Sequence, residues 1–157
     1  GEQNDLALFA LLPDFRGFSV ADAQRFASNA PDSGAIFILV RGDRLNLTES
    51  ERLKRIYMGY VDNPMGLTGP YGLTQYQFRS DSGYRGEDLF VGQTARGPAV
   101  FRCVQFSAEV PSPSCLRETP LTQGVALSYR FKRAQLAKWR EISAGADALV
   151  RSFLQRK

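Results

Sequence analysis

An alternating strand runs almost directly into an amphipathic helix near the C-terminus, and that junction limits the folds open to this chain. In residues 125–131, Val125, Leu127, Tyr129 and Phe131 fall on one side, with Ala126, Ser128 and Arg130 on the other. Period-two alternation marks a strand buried on one face and wet on the other, as in an antiparallel sheet. Residues 134–155 then repeat Leu136, Trp139, Ile142, Ala146, Leu149, Val150 and Phe153 at spacings of three and four. Such a stripe needs an apolar face to lie on, and the neighbouring strand belongs to one. Gly145 falls inside this helix and weakens it by roughly 1 kcal/mol relative to alanine.

The rest of the chain fits the same plan. Residues 6–12 form an apolar run ended by Pro13, readable as a strand or a short helix. Ser19 caps a helix start with Asp22 in its first turn, and Ala23, Phe26, Ala27 and Ala30 share one face. Residues 35–40 are continuously apolar and β-branched, the pattern of a strand buried on both faces. Thr48 and Glu51 form a capping box that opens a second helix reaching about Met58, with Leu53, Ile56 and Tyr57 turned inward. In residues 73–78, Leu73, Tyr76 and Phe78 are the inward candidates. Residues 88–93 and 99–106 form a hairpin. Helices lie early and late and strands crowd the middle. The expected fold is α+β: a mainly antiparallel central sheet with helices on one face, the long C-terminal helix packed on the sheet. At 157 residues the chain is expected to be one domain.

Cys103 and Cys115 are the only cysteines, and they bracket a Pro/Ser-rich stretch. A zinc site needs about four ligands, and this chain has two cysteines and no histidine. The spacing is also not that of a Cys-x-x-Cys redox pair. A disulfide is expected, worth about 3 kcal/mol by loop closure. It would tie the end of the 99–106 strand to the approach to the 125–131 strand. Disulfides persist in oxidising compartments. The expected location is therefore extracytoplasmic, as a periplasmic or secreted bacterial protein, or the soluble part of one anchored by a segment ahead of Gly1. No apolar run approaches the ~20 residues of a spanning helix.

The missing histidine removes Ser-His-Asp and Cys-His nucleophile activation. No phosphate-binding loop, dinucleotide fingerprint or nucleophile elbow is present, and no cofactor is implied. Carboxylate or lysine chemistry stays open, in a pocket walled by Tyr57, Tyr60, Tyr71 and Tyr76. Glu49 and Glu51 lie in a first helical turn, where the helix dipole accounts for them.

Two surfaces are candidate binding sites. Arg79, Ser80, Asp81, Ser82, Gly83 and Arg85 form a turn that can present hydroxyls, backbone N–H groups and guanidiniums to an anion. Basic residues also gather late in the chain. Residues 129–157 carry eight cations, Arg156 and Lys157 among them, against Glu141 and Asp147. Lys132, Arg133, Lys138 and Arg140 could form a basic surface for anionic lipid or nucleic acid. An oxidising compartment disfavours nucleic acid.

Asn46-Leu-Thr48 followed by Ile56-Tyr57-Met58-Gly59 resembles a stretch of the periplasmic phosphate-binding proteins. Arg79-Ser-Asp-Ser-Gly83 is similar to that family's phosphate loop. The likeness spans residues 46–83; the family's later segments have no counterpart, and the chain is too short for two lobes. It implies Arg79, Ser80, Asp81, Ser82 and Gly83 as anion ligands. The leading functional expectation is a non-enzymatic binding or interaction module for a protein or cell-envelope component, with a phosphate-like anion as the alternative ligand.

Overall fold

The computed structural model describes residues 5–155. Gly1, Arg156 and Lys157 lie outside the described residues. In chain order the strands are β1 (Leu6–Leu11), β2 (Ala35–Gly42), β3 (Leu67–Thr68), β4 (Thr74–Gln77), β5 (Glu87–Thr94), β6 (Gly97–Val104), β7 (Ser114–Thr122) and β8 (Val125–Lys132). The helices are α1 (Ala23–Ala27), α2 (Glu49–Arg55) and α3 (Trp139–Gln155). A 3-10 segment, Arg133–Lys138, leads into α3. The strands make one sheet ordered β1-β2-β8-β7-β6-β5-β4-β3, and every pairing is antiparallel. The expected α+β class, antiparallel sheet and packed C-terminal helix are all present.

The inner face of the sheet carries the main core. Ile36, Ile38, Phe90, Phe101, Leu127, Tyr129 and Phe131 meet Leu136, Trp139, Ile142, Ala146 and Val150 from the C-terminal helical stretch. Each fully buried large apolar side chain here contributes about 1.5–3 kcal/mol. Gly145 is explained by this packing. A Cβ there would lie 2.1 Å from the Phe15 ring, so the residue expected to weaken α3 gives Phe15 its seat.

Helices cover both faces, not one. Leu89, Val91 and Val100 point away from α3, next in sequence to the inward Phe90, Ala99 and Phe101. They pack with Tyr57, Val61 and Phe78, supported by Leu53, Ile56 and Tyr84. This second core sits under α2 and the 3-10 turn Tyr57–Tyr60. It covers only the β4–β6 part of the outer face. Over β1 and β2 that face is bare: Phe9 is 59% exposed and its ring lies tilted against Phe37, centroids 4.7 Å apart. The strand expected to be buried on both faces, β2, is accordingly buried only at Ile36, Ile38 and Val40.

Local signals hold where side chains enforce them. Thr48 Oγ1 accepts from the Glu51 N–H at 3.0 Å and Glu51 Oε1 from the Thr48 N–H at 3.3 Å, completing the capping box. That helix stops at Arg55 and continues as the 3-10 turn rather than as α-helix to Met58. Ser19 caps as expected, but the helix after it ends at Ala27 and buries no residue.

Cys103 and Cys115 are joined by a disulfide. Their placement differs from expectation. Cys115 belongs to β7, a strand the Pro/Ser-rich sequence obscures, and lies directly across the ladder from Cys103. The first strand of this pair ends at Val104, and Phe106 is 72% exposed in the loop beyond it.

Candidate functional site

The two disulfide-linked strands pair over three residues only: Phe101 with Arg117, Arg102 with Leu116, and Cys103 with Cys115. They are eight and nine residues long, so they part beyond Phe101. Glu49, the first residue of α2, puts its carboxylate into the gap. Its Oε2 accepts from the Val100 N–H at 2.8 Å and from Arg117 Nε at 3.0 Å; its Oε1 accepts from Arg117 Nη2 at 2.6 Å. A side chain thus takes the backbone donor that the ladder has released, as a buried N–H requires.

Arg117 is tied on its other side as well. Its Nη1 donates to Tyr129 Oη at 3.1 Å and to Ser143 Oγ of α3. Burial works against its charge, but Glu49 and Tyr129 outweigh burial and hold its pKa above the ordinary guanidinium value. Burial pushes the Tyr129 phenol up, against the opposing pull of Arg117. The four side chains link β7, β8, α2 and α3 through one buried network.

Above this floor opens a cleft of about 830 Å³. Its walls are the start of α2 with Thr48 and Ser50, Arg96 of the β5–β6 turn and Pro98 of β6, Thr119 and Pro120 of β7, and α3. Trp139 closes one side. Gly92 makes room for it, since a Cβ there would lie 2.5 Å from the indole, and the indole N–H donates to the Tyr71 carbonyl at 2.9 Å. The Arg140 guanidinium stacks over the indole at 4.2 Å from the ring centroid. At the mouth, Asp147 pairs with Arg151 at 3.0 Å and reaches Arg96 across the opening at 4.0 Å. The rim thus carries three arginines and one acid.

Both Glu49 oxygens are engaged. What faces the cleft for an incoming group is hydroxyls and rim guanidiniums. Among the described residues no group of three or more His, Cys, Asp or Glu is placed to hold a metal ion, and no helix is long and apolar enough to cross a membrane.

The loop proposed for anions lies elsewhere, beside the second core. Arg79 donates through Nε to Asp81 at 3.1 Å and through Nη1 to the Gly59 carbonyl at 2.7 Å. Ser82 Oγ accepts from the Tyr84 N–H at 3.2 Å, while Ser80, Gly83 and Arg85 are exposed. The four basic-surface residues are distributed around the fold. Lys132 Nζ donates to Asn29 at 2.6 Å and to the Ser112 carbonyl. Arg133 reaches the buried Asp88 at 2.7 Å. Lys138 lines a smaller cavity near Gly34, and only Arg140 belongs to the large cleft. Of the four tyrosines expected to wall a pocket, Tyr57 and Tyr76 pack into the second core, with Tyr60 against Tyr84.

Sequence reading passed over Glu49, Arg117 and Ser143 as a group. One signal was available. Once β7 is recognised, Arg117 shares its parity with Cys115 and Leu121, so a charged residue occupies a position that points into the core.

No protein-family model matches the chain, and no curated protein matches it significantly. Among solved structures, it is similar to an immunity protein of the Stenotrophomonas maltophilia type IV secretion system. That match has a TM-score of 0.60 and 13% identity, over 94% of this chain and 80% of the other. At this identity the likeness is one of fold.

Proposed function

We propose that this chain is a non-enzymatic binding domain that works outside the cytoplasm and receives a protein partner at the cleft over Glu49 and Arg117. The cleft floor carries this reading. Its carboxylate and guanidinium are committed to each other, so the cavity is held open by groups that are not free for acid–base work. Rim guanidiniums and hydroxyls remain as recognition groups, and Arg is enriched at protein interfaces. The fold shared with a secretion-system immunity protein supports a secreted protein, such as a toxin, as the partner. The disulfide supports an oxidising compartment.

The test is reconstitution. Candidate partners captured from the source organism's secreted proteins are purified and remixed with this chain. A stable complex of the two pure components supports the reading; failure of every candidate to re-form one overturns it. Location is tested by blocking thiols in intact cells before extraction. Labelling at Cys103 and Cys115 would overturn the extracytoplasmic assignment.

A phosphate-like anion at the Arg79–Arg85 turn is the second reading, favoured by the exposure of Ser80, Gly83 and Arg85. Phosphate titration followed by NMR tests it: saturable shifts confined to that turn support it, and none at millimolar phosphate removes it.

A further inference from the structure

We infer that the cleft takes an extended, acidic segment of the partner, which replaces Asp147 as the counter-ion of Arg96 and pairs with Arg140. This rests on the binding-domain reading and adds the chemistry of the bound segment. Three observations point to it.

The rim is unbalanced in charge. Arg96, Arg140 and Arg151 face a single carboxylate, and that carboxylate is divided between two of them. The Arg151 contact is short, at 3.0 Å, whereas the Arg96 contact is 4.0 Å with an arginine side chain 81% exposed. Arg96 is therefore the cation most easily offered to another acid. Arg140 makes one long hydrogen bond, 3.3 Å to the Gln93 carbonyl, and otherwise sits over the Trp139 ring. The residue is exposed, and its guanidinium is already held over the indole, which lowers the ordering cost of pairing it with a carboxylate.

The sheet is open at the same place. Past Arg117, β7 has no ladder partner in β6, and Thr119 and Pro120 of that stretch line the cleft. An extended peptide has the backbone groups to use such an interrupted ladder, as in strand addition. The hydroxyls of Thr48, Ser50 and Thr119 border it. The volume, about 830 Å³, lies within the roughly 300–1,000 Å³ typical of formed ligand sites.

Trp139 supplies a local reporter, because it is the only tryptophan in the chain and Arg140 stacks on it. The probe is a blocked hexapeptide of alternating Glu and Asp, added to the full chain at low salt. The inference expects a saturable change in tryptophan fluorescence. The Arg96→Ser/Arg140→Ser variant should weaken binding by about tenfold, the loss of two partly exposed charge pairs. Asp147→Asn, which removes the competing acid, should tighten it. No saturable change would overturn the inference. So would an equal response to a Ser/Lys hexapeptide, an unaltered affinity in the double variant, or inorganic phosphate binding as tightly as the peptide. Failure here is separable from failure of the binding reading. A reconstituted partner that binds the double variant as tightly as the native chain sinks the acidic segment and leaves the binding domain standing.

Discussion

One strand pair, β6 and β7, is built in opposite ways at its two ends. At one end Cys103 and Cys115 face each other across the ladder, fully buried and covalently joined. At the other end the strands separate around Glu49 and Arg117, and the ladder is replaced by side chains. The closed end contributes constraint. The open end contributes a cavity, and its buried charges are kept in place by mutual hydrogen bonding. A buried ion pair is seldom a net gain over apolar packing, yet losing one partner is severe because the other charge stays behind. The open end is thus the part where shape has been kept at the expense of an apolar filling.

The comparison can be broken most forcefully at Arg117. Arg117→Ala leaves Glu49 buried without its counter-ion and should cost about 3–5 kcal/mol, read from the denaturant midpoint. The paired replacement Glu49→Leu with Arg117→Met should recover much of that loss. If the pair does no better than the single variant, the open end needs its charges for more than neutralising each other. At the closed end, Cys103→Ala with Cys115→Ala should cost about 2–4 kcal/mol. Peptide binding at the cleft should survive that change, since the cleft is held by other contacts; its loss would show that the two ends are mechanically one.

Gly92→Ala tests the cleft wall. The added methyl meets the Trp139 ring, and overpacking of this kind costs about 1–3 kcal/mol, with a shift in tryptophan emission as the local sign. The smallest effect concerns pH. Burial raises the Tyr129 pKa, so the stability linked to its neutral phenol is complete below the ordinary tyrosine value of 10.0. It is lost as pH climbs from there through the raised folded value, because the unfolded chain releases the proton more readily. Denaturant titrations above pH 10 should show a falling midpoint, less steep in Tyr129→Phe. An equal slope in both would place the alkaline transition elsewhere, Tyr57 being the other phenol that burial pushes up.

The parts of this molecule visible in its sequence are those set by near neighbours. The Thr48–Glu51 box needs four residues, the alternation of β8 needs seven, and the stripe on α3 repeats every turn. The disulfide could be read because two cysteines without histidine leave few other uses. The strand carrying Cys115 could not, because Pro111, Pro113 and Pro120 flank or interrupt it and Pro120 adjoins a register shift. Its prolines read as loop signals. The cleft was hidden for a different reason. Glu49 has a sufficient local explanation at a helix start, and its real partner, Arg117, is remote in sequence. The bare outer face of β2 was hidden too, since a run of apolar residues does not reveal that only one side is covered.

The order of the sheet also has a consequence for how the chain comes together. Phe37 pairs with Arg130 and Val40 with Leu127, so the second strand finds its central neighbour only when the eighth exists. Until then β1 and β2 are an isolated two-stranded ribbon, which is marginal in water. Ile36 and Ile38 would be uncovered and one strand edge open. Pairings between distant segments form late and slowly, and an open apolar edge invites association with other chains. A chain interrupted before Val125 should therefore be sticky rather than merely incomplete, with the β1–β2 ribbon as the adhesive surface.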